Sequence, residues 1–139
     1  MTNNSLSKII INANSRYPIR RKKIKDLILR TLESLQIFEP VYVEVDIIGD
    51  RKMRELKNKY LGIDETTDVL SFPLQESVIN GRVGDNFVEF PDHLLHLGNI
   101  FVSYPQAQRQ ANLHKLGIDD EINQLVEHSI FHLVGIHHE

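Results

Sequence analysis

Pro40-Val41-Tyr42-Val43-Glu44-Val45-Asp46-Ile47-Ile48-Gly49-Asp50 is the stretch from which the fold reads outward. Val41, Val43, Val45 and Ile47 alternate with Tyr42, Glu44 and Asp46, the period-two signature of a half-buried strand with β-branched residues on its inner side. Gly49 and Asp50 then supply a turn and an N-cap. From Arg51 to about Tyr60 the period changes to that of a helix, with Met53, Leu56 and Tyr60 inward and Gly62 just past its end.

Upstream, Lys8 to Asn12 is a β-branched run that reads as a strand. Arg21 to Leu35 places Ile24, Leu27, Ile28, Leu32 and Leu35 at helical spacing. Downstream, Ile63 to Thr67 is a polar turn, Val69 to Phe72 a strand stopped by Pro73, and Leu74 to His96 a loop with a short hairpin around Phe87 to Phe90. Leu97 to Ser103 is a further strand. Pro105 to about Leu116 is a helix with Ser103 at its start, and a last helix runs from Asp119 or Asp120 through Ile122, Leu125, Val126 and Ile130 to about Val134, where Gly135 is expected to end it. Interleaved strands and helices of this kind predict a single α+β domain over residues 1–139, a small mixed β-sheet packed with helices.

The composition excludes much else. At 139 residues, 41% hydrophobic and 25% charged, with 7 Gly and 5 Pro, the chain is too apolar for a disordered tail and too mixed for a coiled coil. Zero cysteines exclude disulfides, iron–sulfur clusters and thiol catalysis, leaving His, Asp and Glu for metal or general-base work. Neither a secretory h-region nor a membrane-spanning run is found, so a cytoplasmic protein is expected. The net charge of -3 hides a polarised chain: residues 1–60 carry 13 Lys/Arg against 7 Asp/Glu, and residues 61–139 carry 3 against 12. A basic half in an acidic protein suits a polyanion such as RNA; a solvated helix face is the competing reading.

The chemistry concentrates at the end of the chain. His128 and His132 stand four apart on the expected helix, so their rings lie one above the other, as a two-imidazole metal site needs. Gly135 can take a left-handed conformation at little cost and reverse the chain so that His138 returns to the same ion. The order of His128, His132, Gly135 and His138 is the metzincin zinc spacing, giving a zincin-like three-histidine helix and turn, except that Ser129 stands where that motif has its catalytic glutamate. His137 leaves the third ligand ambiguous by one position, and the spacing favours His138. Three neutral imidazoles hold one Zn²⁺ at about 2.0–2.1 Å and leave a fourth position for water, whose pKa falls to roughly 7. His93, His96 and His114 fit no ligand spacing with this helix and read as surface or loop residues.

His128, Ser129, Phe131, His132, Leu133, Gly135 and His138 resemble the terminal His-Gly-x-x-His-Leu-x-Gly-x-x-His pattern of the YbeY family of bacterial rRNA maturation factors. Thr67 to Pro73 is similar to that family's Thr-Asp-Val-Leu-Ser-Phe-Pro stretch, and Leu97, Gly98, Asn99 and Ile100 to its Leu-Gly-Asp-Ile strand, in the same order. The resemblance implies a zinc-dependent, single-strand-specific endoribonuclease acting in 16S rRNA 3′-end maturation and ribosome quality control, with single-stranded RNA and the ribosome as partners. Among the departures from the pattern, Leu61 follows Tyr60 where the family has an arginine expected to face substrate phosphate, and Asn99 replaces the strand aspartate.

In this reading His128, His132 and His138 hold the metal, one Zn²⁺ per chain, and the general base is unassigned. Arg20, Arg21, Lys22 and Lys23, with Arg16 and Tyr17 just upstream, and the segment Arg51 to Lys59, including Lys57 and Lys59, are the candidates for phosphate contact. Ser71 is a candidate hydrogen-bond donor to substrate, with ordinary sheet pairing as the alternative. The competing functions are a metal-dependent amidase or peptidase, which Ser129 disfavours, and a ribosome-associated RNA-binding protein with a degenerate active site, which Leu61 motivates.

Overall fold

β2 (Val41–Ile48) lies inside the sheet, between β1 (Lys8–Ala13) and β4 (Leu95–Ser103), with β3 (Val69–Pro73) at the far edge. β1, β2 and β4 are parallel and β3 is antiparallel to β4, so the order β1-β2-β4-β3 makes a mixed α/β fold. The structure, a computed structural model, describes residues 6–73 and 93–137. Its helices are α1 (Arg21–Ser34), α2 (Asp50–Leu61), α3 (Tyr104–His114) and α4 (Ile118–His137). The expected hairpin around Phe87 to Phe90 lies outside the described residues.

The alternation in β2 explains the layering. Val41, Val43 and Val45 are fully buried, and with Ile9, Ile11, Ile100 and Val102 they form the sheet side of the core. The helix side is Ile24, Ile28 and Leu32 of α1 and Ile122, Val126, Ile130 and Leu133 of α4. Each fully buried aliphatic side chain contributes about 1.5–3 kcal/mol, so this layer is the main source of stability.

The other face of the sheet carries a polar network beside the packed rings of Phe72 and Phe101. Asn12 donates from Nδ2 to Glu44 Oε2 and to Asp46 Oδ1, both at 2.8 Å, and Asn99 Nδ2 donates to Asp46 Oδ2 at 3.2 Å. Asn99 pairs with Phe72, so it shares that face and not the face of Ser71. The Asn99 side chain therefore lies on the sheet face away from Ser71 and the histidine that Ser71 meets. An aspartate there would meet Asp46 as a like charge, whereas the amide donates to it.

Several expectations are corrected. β4 begins at Leu95, two residues before the expected Leu97, because Leu95 and His96 pair with Val41 and Tyr42. Leu97 is then the extra residue of a bulge, after which Gly98 adopts φ 140°, a conformation that favours glycine. Gly49 is the N-cap of α2 and Asp50 its first residue. Tyr60 points outward rather than in, 56% exposed, with its ring tilted against Phe72 at 5.2 Å. His96 is a strand residue stacked on Tyr42, and His114 bonds the buried Glu121 carboxylate at 2.9 Å. Finally, α4 does not stop at Gly135. It runs through it to His137, because glycine permits a left-handed turn without requiring one.

Asp50 ties α2 to the end of β4 and the middle of α3. Its carboxylate accepts from Ser103 Oγ at 2.8 Å and from Arg109 Nη1 and Nη2 at 3.0 Å. Burial works against its charge, yet the Ser103 hydrogen bond and the Arg109 guanidinium hold the carboxyl below its ordinary 3.8. A depressed folded-state pKa contributes stability that is present above the unfolded value and lost as pH falls through the folded one. With its side chain 34% exposed, the network is discounted for solvent, and Asp50→Asn is expected to cost about 1 kcal/mol near pH 7. Thermal melts should show the gap between the two proteins closing as pH falls below about 4; a constant gap would remove Asp50 as the source.

Candidate functional site

α4 crosses the sheet edge where β3 and β4 pair, and its apolar stripe sets what its other side presents. Ile122, Val126, Ile130 and Leu133 are fully buried, while His128 and His132 are exposed. Spaced four residues apart on one helix, the two imidazoles lie about 6 Å apart along its axis on a common side. Ser129 is 3% exposed, so the position that carries the base in the metzincin motif faces the packed interior.

Ser71 on β3 reaches the second histidine: its Oγ lies 2.9 Å from His132 Nδ1. The hydroxyl candidate for substrate contact is thus engaged with His132, whose Nε2 has no hydrogen-bond partner among the described residues. Among the described residues no three His, Cys, Asp or Glu side chains come together as a metal site. His138 lies outside the described residues, and with α4 helical through Gly135 the expected reversal does not occur there. The donor set in view, two exposed imidazoles with one aimed by a hydroxyl, suits a borderline-soft divalent ion that takes nitrogen ligands.

The two charge halves of the chain meet. Arg20 pairs with Asp119 at 3.6 Å and Lys23 with Asp120 at 3.5 Å, joining the start of α1 to the first turn of α4. Lys22 pairs with Asp26 at 3.2 Å and Lys57 with Glu65 at 3.3 Å. Arg21 donates to the carbonyls of Ile11 and Ala13, and Lys59 sits 5.2 Å over the Tyr60 ring. Four of the six cations singled out from the sequence therefore already have a carboxylate partner. Arg16, Arg51 and Lys52 have none among the described residues. They line a cleft of about 860 Å³ at the carboxyl ends of β1 and β2, with Asn14, Tyr17 and Gly49. The sequence includes Arg51 and Lys52 in its second basic segment and Arg16 just upstream of the first; what sets them apart is that they form no ion pair with a described residue, although Asp46, Asp50 and Glu55 line the same cleft, and only the fold reveals this. Leu61, at the arginine position of the motif, is 52% exposed at the end of α2.

A mixed sheet whose edge is crossed by a helix bearing paired histidines defines the class of protein. The model of the family described as Endoribonuclease YbeY matches residues 9–139, and the chain belongs to that family. It is 37% identical over 118 residues to a protein named Endoribonuclease YbeY from Dehalococcoides mccartyi, covering 84% of this chain and 69% of that one. A protein of the same name from Caldicellulosiruptor saccharolyticus is 35% identical over 133 residues, 94% of this chain and 83% of its own. The solution structure of a Thermotoga maritima protein shares the fold, with a TM-score of 0.55 at 24% identity over 90% of this chain and 71% of that one.

Gly135 offers a direct check of the helix end. A Cβ there meets nothing within 4 Å and the backbone is helical, so Gly135→Ala should raise stability by about 0.5–1 kcal/mol in metal-free protein. A drop in melting temperature of the metal-free variant would instead place a left-handed residue at that position.

Proposed function

We propose that this chain is a metal-dependent endoribonuclease of single-stranded RNA, with one Zn²⁺ held by His128, His132 and His138. The observation that carries the reading is the His128 and His132 pair on α4, with Ser71 against Nδ1 of His132, in a chain matched by the endoribonuclease family over residues 9–139. Bound there, zinc supplies Lewis acidity at a phosphodiester and lowers the pKa of a water. The protein's own part is to aim the imidazoles from a helix anchored in the core and to hold the RNA backbone. For His138 to join the pair, α4 must unwind near Gly135, where glycine makes the reversal inexpensive.

Phosphate contact falls to the cleft cations Arg16, Arg51 and Lys52, which have no ion pair among the described residues to give up. Arg20, Lys22, Lys23 and Lys57 must exchange a carboxylate, though such exposed pairs are individually weak. The family likeness extends the proposal to 16S rRNA 3′-end maturation and ribosome quality control in the cytoplasm, with the ribosome as partner. A peptidase is a weaker reading, since the buried Ser129 offers no base. The exposed Leu61 favours a binding protein that has lost cleavage, and the same assay distinguishes it.

Purified protein should hold about one zinc and cleave single-stranded RNA, with His132→Ala abolishing cleavage while the circular dichroism stays native. RNA binding without cleavage at any zinc level would leave the degenerate-site function standing. Replacing Arg16, Arg51 and Lys52 together by Gln should flatten the plot of log affinity against log salt by about 2, near 0.7 per cation for single strands. The same change at Arg20, Lys22 and Lys23 should flatten it less; the reverse order would move the RNA track to α1.

A further inference from the structure

We propose that Ser71 is a positioning residue that makes Nε2 of His132 the metal-binding atom, an inference that rests on the metal-site reading above. β3 places Val69, Ser71 and Pro73 on the side of the sheet that α4 covers, and Ser71 stands opposite the fully buried Ile100. Ser71 is half-buried, and its hydroxyl oxygen lies 2.9 Å from His132 Nδ1. Pairing with β4 holds the hydroxyl in place, and burial of Ile130 and Leu133 holds the helix, so the contact joins two rigid elements.

A neutral imidazole carries one N–H and one lone pair, and a metal takes the lone pair. With Ser71 against Nδ1 there are two arrangements. If the hydroxyl donates to Nδ1, the proton of the ring sits on Nε2 and neither nitrogen is free for a metal. If Nδ1–H donates to Ser71 Oγ, the Nε2 lone pair is exposed and the ring already aimed. A divalent ion selects the second, and Ser71 then acts as the outer hydrogen-bond partner that fixes tautomer and orientation. His128 has no hydrogen-bond partner among the described residues, so this control acts on one ligand of the pair.

The test compares wild type, Ser71→Ala and Ser71→Thr by Zn²⁺ titration against a chromophoric chelator. It adds two-bond ¹H–¹⁵N spectra of the histidine rings in the Zn²⁺-loaded wild type. Ser71→Ala should bind Zn²⁺ at least about tenfold more weakly, and Ser71→Thr, which keeps the hydroxyl, within about threefold of wild type. In the spectra His132 should carry its proton on Nδ1. Unchanged affinity in a folded Ser71→Ala protein, or His132 ligating through Nδ1, overturns the role of Ser71 and leaves the metal site standing. Failure of the wild type to take up Zn²⁺ overturns the metal site and Ser71 with it. If Ser71→Ala does not fold, the wild-type spectrum decides alone.

Discussion

Burial of one helix stripe against one sheet face is the constraint from which the rest of this protein follows. Ile122, Val126, Ile130 and Leu133 leave α4 a single rotational setting over β3 and β4. Turning the helix by even one residue would carry about 100° of its surface out of contact and strand these side chains in water. His128 and His132 take their direction from that setting. Their precision is borrowed from the core, as is the reach of Ser71, because the strand carrying it is registered on β4 by the same packed layer.

Electrostatics is the second organising effect, and folding largely cancels it. The basic start of α1 and the acidic first turn of α4 are nearly a hundred residues apart in sequence and adjacent in the fold, joined by Arg20 to Asp119 and Lys23 to Asp120. The carboxylates also suit the positive end of α4, so each serves a helix dipole and a cation at once. Among the cations that form no ion pair with a described residue, Arg16, Arg51 and Lys52 gather around the β1–β2 cleft, together with Asp46, Asp50 and Glu55. A charge count along the chain points at α1, where Arg20, Lys22 and Lys23 are already paired.

Periodicity carried most of the elements because each buries one face. The alternation of Val41, Val43, Val45 and Ile47 and the helical spacing of Ile24, Ile28 and Leu32 are demands of the core, and these side chains are buried in β2 and α1. The misreadings fall where a neighbour overrides the local pattern. Tyr60 has an inward spacing but finds its contact in Phe72 on the open face, and Leu95 and His96 become strand because β2 offers them partners. Gly135 is helical although its place near the end of the periodic run suggests a stop, since a residue that tolerates two conformations does not choose between them.

The candidate site divides along the same line. Two imidazoles four residues apart on an amphipathic helix are a local fact, fixed by 3.6 residues per turn, and so was the family likeness that three short motifs carried. That Ser71 meets His132 across sixty-one positions, that Asn99 lies on the face away from it, and that most of the basic cluster is already paired are long-range facts. They depend on strand register and on which helix packs where, and no window of sequence contains both partners of such a contact.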